Sequence, residues 1–160
     1  MIRATAPGRA GIIGNPTDGY GGTMIACSTK NRACVTIEDC DQLIIENKLG
    51  RTVLKWQNDF DNQGDYFDIA RCVLRYFNLY DLKAKITIST DIPEQAGLAG
   101  STAVLSSVLA AIVSFTGLSY HKYHLAELNR IIELHYMKCH CGYQDAYMTT
   151  FGGLNYIDFR

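Results

Sequence analysis

The run from Ser101 to Phe115, STAVLSSVLAAIVSF, carries no charged residue and puts apolar side chains on nearly every face of the helix it would form. A helix at a protein surface needs only one apolar stripe, so a helix of this kind has to be enclosed by other elements. It is too short to span a bilayer and is interrupted by Ser106, Ser107 and Ser114. The expectation is one domain, residues 1–160, organised round a central buried helix.

The segments that could enclose it follow a simple order. Thr23–Thr29, Arg32–Glu38 and Gln42–Asn47 are short, rich in β-branched residues and separated by polar residues, which predicts strands. Asn58–Gly64 is a polar loop. A helix starting near Asp65 has Tyr66, Ile69, Ala70, Val73, Leu74 and Phe77 at helical spacing, and Ala84–Ser89 reads as a further strand. After the central helix, Ser119 can cap a second one running to about Lys138. A short helix near Gly142–Thr150 and a strand Leu154–Phe159 close the chain. Strands first and helices later argue an α+β fold rather than a parallel, doubly wound sheet.

Charge excludes some partners. With 15 basic and 16 acidic residues interspersed and a net charge of −1, there is no basic stripe for nucleic acid and no polybasic helix for a membrane surface. The first residues, MIRATAPGRAG, lack the apolar stretch of an export signal. The six cysteines are scattered through apolar segments, so they are expected to be reduced core thiols of a cytoplasmic protein.

Three segments carry chemistry. Pro93 to Val104, PEQAGLAGSTAV, joins a strand to the central helix through a loop holding Gly97 and Gly100. Glycines let a backbone approach an anion, and the free N–H groups of the helix start supply donors and positive potential. A hydroxyl from Ser101 or Thr102 in that first turn can ligate Mg²⁺ beside a phosphate. The competing reading is an ordinary turn with Ser101 as a helix cap; a Walker A loop is absent, because no Gly-Lys-Ser/Thr occurs. Ala6 to Gly22, APGRAGIIGNPTDGYGG, is so rich in glycine and turn pairs that it predicts irregular backbone, flanked by Arg9 and Asp18. Cys139 to Gly153, CHCGYQDAYMTTFGG, puts Asp145 in a short helix twelve residues after Glu133. An isolated carboxylate is usually a solvated surface group, but two near a phosphate loop and an arginine would form a phosphoryl-transfer site, one holding Mg²⁺ and one receiving the acceptor hydroxyl's proton. The rival use of Cys139, Cys141, His135 and His140 is zinc, for which Cys-x-Cys is a poor structural spacing.

Together the three segments resemble, in order, the N-terminal signatures of the GHMP kinases, the group of galactokinase, homoserine kinase, mevalonate kinase and phosphomevalonate kinase. APGRAGIIGNPTDGYGG resembles the opening signature, GLAGSTAV the phosphate loop, and GYQDAYMTTFGG the region of the catalytic aspartate. The plant-type glucuronokinases are most similar, sharing Asn-Pro where galactokinases have Glu-His and a last motif like GYQD…FGGLNYIDF; bacterial heptose-phosphate kinases come next. The resemblance implies a ribosomal protein S5 domain 2-like α+β fold with a left-handed βαβ crossover. It also implies ATP and Mg²⁺ as cofactors, and a sugar or sugar acid as substrate.

Carried onto this chain, the resemblance places Gly97, Leu98, Ala99, Gly100, Ser101 and Thr102 on the nucleotide phosphates. It assigns Thr102 and Glu133 to Mg²⁺, Asp145 to the proton-accepting role and Arg9 to the reacting phosphate and base. Asn15 and Asp18 fall at substrate-binding positions. Asn15-Pro16 disfavours galactose, and Ala146 replaces the Gln or Arg that usually follows the aspartate. A uronate carboxylate needs a cationic partner, for which Lys30 and Arg51 are candidates. The alternative from another class is a non-catalytic sugar- or nucleotide-binding module. Family members also carry a C-terminal half with another glycine-rich motif. The chain is therefore expected to be the N-terminal half of a kinase, needing that half or a complementary chain and prone to self-association.

Overall fold

The computed structural model describes residues 1–160. Its elements are β1 (Ile2–Ile13), β2 (Thr23–Asp39), β3 (Leu43–Asn47), β4 (Gly50–Leu54), α1 (Asp68–Tyr76), β5 (Ala84–Thr90), α2 (Gly100–Phe115), α3 (Lys122–Ile131), α4 (Gln144–Phe151) and β6 (Leu154–Asp158). Six strands form one sheet in the order β1-β2-β5-β3-β4, with β6 paired to the first residues of β2. Every pairing is antiparallel except β3 with β5, which are joined through β4 and α1. The fold is α+β, as expected.

Alternation along the strands decides which face is covered. Ala33, Val35 and Ile37 of β2, Ala84, Ile86 and Ile88 of β5, and Leu43 and Ile45 of β3 are buried together with Leu105, Val108, Leu109 and Ile112 of α2. The central helix is enclosed as its composition demands: it lies on β1 and β2, with α1, α3 and α4 packed round it. No helix is long and apolar enough to cross a membrane.

Several boundaries differ from expectation. The two segments read as separate strands in 23–38 are one strand of 17 residues, because β1 pairs along its length and carries it past the polar residues Lys30 and Asn31. Ala6–Gly22 is not irregular throughout: it remains strand to Ile13, with register shifts at Pro7/Arg9 and Gly11/Ile13. Gly8 is needed there for close approach, since a Cβ would lie 2.8 Å from Thr29 Oγ1 and 2.9 Å from the Leu98 carbonyl. The polar loop 58–64 anchors itself through buried Phe60 in a 3₁₀ turn. Strand β4 had no clear sequence signal. Ser119 does not cap α3, which starts later with His121 at its N-cap, and the helix after Ile131 continues only as a π turn, Ile132–Tyr136. All six cysteines are free, but only Cys72 is a fully buried core thiol; Cys139 is exposed.

The outer face of the sheet changes character along its length. Over β1, β2 and β6 the rows Ala10–Cys27–Leu154 and Ile13–Ile25–Tyr156 point away from the helices. Ile13, Leu154 and Tyr156 there are 64%, 70% and 65% exposed. Over β5 and β3 the same face is polar, with Lys85 paired to Glu38 at 2.8 Å and Thr87 donating to Glu46 at 2.9 Å.

Candidate active site

The start of α2 is built to attract an anion. Gln95, Gly97 and Ala99 all have positive φ (54°, 68° and 56°), and Ala99 is the N-cap residue in left-handed conformation. A left-handed residue with a Cβ costs about 1–2 kcal/mol, so the loop holds a shape that its own preferences oppose. No side chain caps the helix and no acidic residue lies in its first turn. The N–H groups and positive dipole end are left for a ligand. Ser101 is exposed in that first turn, so it is not the cap that the ordinary-turn reading required.

Arg9 ties this loop to the last segment. Its backbone N–H donates to the Leu98 carbonyl (3.0 Å) and its Nη1 to the Gly97 carbonyl (2.6 Å). Nε and Nη2 both lie 2.6 Å from Asp145 Oδ1. The other oxygen, Oδ2, takes no protein hydrogen bond. Burial raises the Asp145 pKa, and the Arg9 guanidinium opposes that rise. The result suits a group that must accept a proton.

The second carboxylate lies on the π turn. Thr102 Oγ1 donates to Glu133 Oε1 at 2.6 Å, and both residues are buried. Glu133 Oε2 is buried with no hydrogen-bond partner. A lone hydroxyl and a carboxylate with one unused oxygen fit a hard cation that brings phosphate and water as its remaining ligands. No three His, Cys, Asp or Glu side chains come together as a metal-binding group, those of His135, Cys139, His140 and Cys141 included. Cys141 instead lies beside Glu133, and burial together with that carboxylate pushes its thiol up to about 12.

Burial likewise raises the Glu133 pKa above the ordinary glutamate value, against the Thr102 hydrogen bond and the neighbouring Cys141 thiol, which lower it, while the Asp145 charge adds to the rise. Between the ordinary and the raised pKa the fold binds more protons than the unfolded chain. Stability therefore falls as pH rises through that window, and the loss persists above it. Glu133→Gln, which cannot ionise, is expected to raise the unfolding temperature at neutral pH, with a gain that fades near about pH 4. A gain equal at pH 4 and pH 7 would assign the effect to packing. If Glu133 ligates Mg²⁺, the same variant of the complete polypeptide should raise the Mg²⁺ concentration needed for half-maximal rate, because an amide oxygen is a weaker ligand for a hard cation.

Asp18 occupies a place that spacing alone did not reveal. It is buried, and its Oδ2 accepts from the backbone N–H groups of Tyr143 (2.9 Å) and Gln144 (3.0 Å), capping α4 one residue before Asp145. Gly142 makes room for it, since a Cβ there would overlap the Asp18 carboxylate. Asp18 Oδ1 takes no protein hydrogen bond. Asn15 lies near the Gln144 amide, both lining the space over Gly11. Of the two candidate cations, Lys30 is exposed in the irregular stretch of β2 opposite Gly8, one residue from Arg9, whereas Arg51 lies on β4 at the far edge of the sheet.

Beside the loop opens a cleft of about 590 Å³ lined by Leu49, Tyr66, Ile69, Ile92 and residues 93–101. Its size and mixed lining suit a nucleoside attached to phosphates on α2. Leu49 carries no signal in the sequence, and Tyr66, expected on the apolar face of a helix from Asp65, precedes α1 and is exposed. Both are exposed apolar residues on connecting segments, and only their tertiary position marks them. Buried Arg71, paired with Asp65 (2.6 Å) and Asp68 (2.7 Å), fixes the segment that carries Tyr66.

Comparisons with known proteins bear on the family and the fold. The family profile described as GHMP kinases N terminal domain matches residues 66–153. The chain is 26% identical over 161 residues to a galactokinase from Thermotoga neapolitana, covering 99% of this chain and 46% of that protein. It is 28% identical to glucuronokinase 1 from Arabidopsis thaliana, covering 94% and 47%. Among solved structures, a D-glycero-D-manno-heptose 1-phosphate kinase from Bacteriodes thetaiotaomicron superposes with a TM-score of 0.86 at 25% identity, covering 99% of this chain and 56% of that one. The chain thus spans about half the length of the curated relatives it matches.

Proposed function

The chain belongs to the GHMP kinases through their N-terminal domain, and on that premise we propose that it forms the nucleotide- and base-bearing half of an ATP- and Mg²⁺-dependent kinase for a sugar acid. The observation that carries this reading is the single guanidinium of Arg9, which bridges the Gly97 carbonyl of the anion loop and the Asp145 carboxylate. It holds a phosphate site and a proton acceptor in one frame, and phosphoryl transfer depends mostly on such positioning and electrostatics.

In the proposed reaction the N–H groups of Gly100, Ser101 and Thr102 hold nucleotide phosphate, with the base in the cleft beside Tyr66. Thr102 Oγ1 and Glu133 would hold Mg²⁺, which when bound neutralises charge on the phosphate oxygens. Asp145 Oδ2 accepts the proton of the sugar hydroxyl as that oxygen bonds to the γ-phosphorus and the bond to ADP breaks. Arg9 keeps Oδ1 occupied, so Oδ2 faces the hydroxyl. Asp18 Oδ1 and Asn15 contact the sugar. Lys30 is the better placed partner for a substrate carboxylate.

Relatives named galactokinase and glucuronokinase match at similar identity; the acid is favoured by Asn15-Pro16 and by the position of Lys30. The test is a coupled ADP-release screen of the complete polypeptide over uronic acids, a heptose phosphate and neutral hexoses. Glucuronate or a related acid is expected to give the highest kcat/KM. Equal kcat/KM for galactose and glucuronate would overturn the acid reading. Sugar binding without ADP release would favour a non-catalytic module.

A further inference from the structure

Behind the Arg9–Asp145 pair, three helices are joined by polar side chains that the proposed reaction does not touch. Asn129 of α3, Ser106 of α2 and Thr149 of α4 are all buried. Asn129 Nδ2 donates to Ser106 Oγ at 2.6 Å and to the backbone carbonyl of Thr102 at 3.3 Å. Ser106 Oγ lies 2.8 Å from Thr149 Oγ1, and Thr149 Oγ1 donates to the Asp145 carbonyl at 2.8 Å.

The direction of this chain is determined by its ends. Thr149 has one hydroxyl proton and gives it to a carbonyl, which can only accept, so Ser106 donates to Thr149 and accepts from Asn129. The Asn129 amide is set with Nδ2 toward Ser106 and Thr102, since its oxygen would otherwise face the Thr102 carbonyl; Oδ1 is buried and takes no hydrogen bond. One end of the chain is the residue whose hydroxyl holds Glu133; the other is the residue that accepts the proton.

Resting on the phosphoryl-transfer reading above, we propose that Asn129, Ser106 and Thr149 are positioning residues that set the Asp145 carboxylate at a fixed distance from Thr102 and Glu133. Helix α4 has only 8 residues and little stability of its own. Asp18 holds its first turn, and Thr149 holds it laterally against α2. Apolar side chains would fill the same space, but they tolerate sliding. Directional bonds break when a helix shifts by an ångström, and a buried donor or acceptor left without a partner is costly. The chain therefore specifies one register of α4 on α2. A misplacement on the order of 1 Å costs about 10²-fold in rate, which is the scale on which such a register matters.

The test uses the complete polypeptide. Thr149→Val keeps the branched shape and removes the hydroxyl; Thr149→Ser keeps the hydroxyl. Thr149→Val is expected to lower kcat about 10–100-fold, leave both KM values within about threefold, and be rescued by Thr149→Ser. A folded Thr149→Val protein with normal kcat and only a lower unfolding temperature would overturn the proposal, leaving a packing role. Should Thr149→Val not fold, Ser106→Ala breaks the chain in the middle and is read in the same way. If the parent protein releases no ADP on any sugar, the kinase reading fails instead. Hydrogen exchange of residues 144–151 then decides: faster exchange in Thr149→Val but not in Thr149→Ser upholds the positioning role, and unchanged exchange overturns it.

Discussion

Asp145→Asn in the complete polypeptide is expected to lower kcat by at least about 10²-fold, the scale of losing acid–base assistance, while sugar affinity changes much less. The side chain keeps its shape, and its remaining oxygen can still accept from Arg9, as Oδ1 does now at 2.6 Å. The other position then becomes an NH₂ group. It presents a donor where the acceptor hydroxyl needs an acceptor for its proton. Burial makes the native carboxylate a stronger base than an exposed one, and that advantage disappears together with the charge. Steady-state kinetics with saturating ATP would read the effect in kcat. Near-normal turnover would remove Asp145 from the proton-accepting role and shift attention to Arg9 acting alone.

The 160 residues by themselves are expected to transfer phosphate at least about 10³-fold more slowly than the complete polypeptide, because preorganised donors lose most of their value when water reaches the reacting groups. In this domain the anion loop is bordered by solvent: Gly97 has nothing within 4 Å of where a Cβ would stand, and Ser101 is exposed. The matched relatives are about twice as long, and a segment corresponding to their second half would supply the covering surface. Weak nucleotide binding is expected to survive, since the N–H groups of α2 and the cleft beside Tyr66 belong to this half. The apolar rows of β1, β2 and β6, with Ile13, Leu154 and Tyr156 at their centre, should drive self-association of the isolated domain. Sedimentation of the 160-residue chain, with and without the remainder supplied in trans, measures this directly. A strictly monomeric domain turning over a sugar acid at ordinary enzyme rates would overturn the expectation.

Much of the architecture was legible because it follows from local rules. An uncharged run apolar on every face has to be a central helix, and 101–115 is that helix. Alternation of β-branched residues located β2, β3 and β5. The three glycine- and aspartate-bearing segments stand out in the sequence, and Arg9, Gly97 and Asp145, one from each, are hydrogen-bonded together. Where expectation failed, a partner in space overrode local preference. Ala6–Ile13 looks irregular in sequence, yet pairing with β2 keeps it extended, and its glycines serve close approach rather than a turn, Gly8 to Thr29 and Leu98 and Gly11 to Asn15 and Gln144. The polar residues near Lys30 looked like a break between two strands, and β1 bridges it.

The residue types, their order and the family that they imply were determined by the sequence alone. Which atoms meet was decided only by the tertiary structure. Arg9 and Asp145 are separated by 136 positions, Thr102 and Glu133 by 31, and Asp18 and Gln144 by 126. No periodicity or spacing rule reaches across such distances. The sheet brings β1 beside the start of α2, and the packing of α3 and α4 on α2 sets the carboxylates. Asp18 as the cap of α4, the bridging of loop and base by Arg9, and the buried line from Asn129 to Asp145 come from that packing. Hydrogen bonds are directional and short, so they exist only once the backbone has put donor and acceptor within about 3 Å.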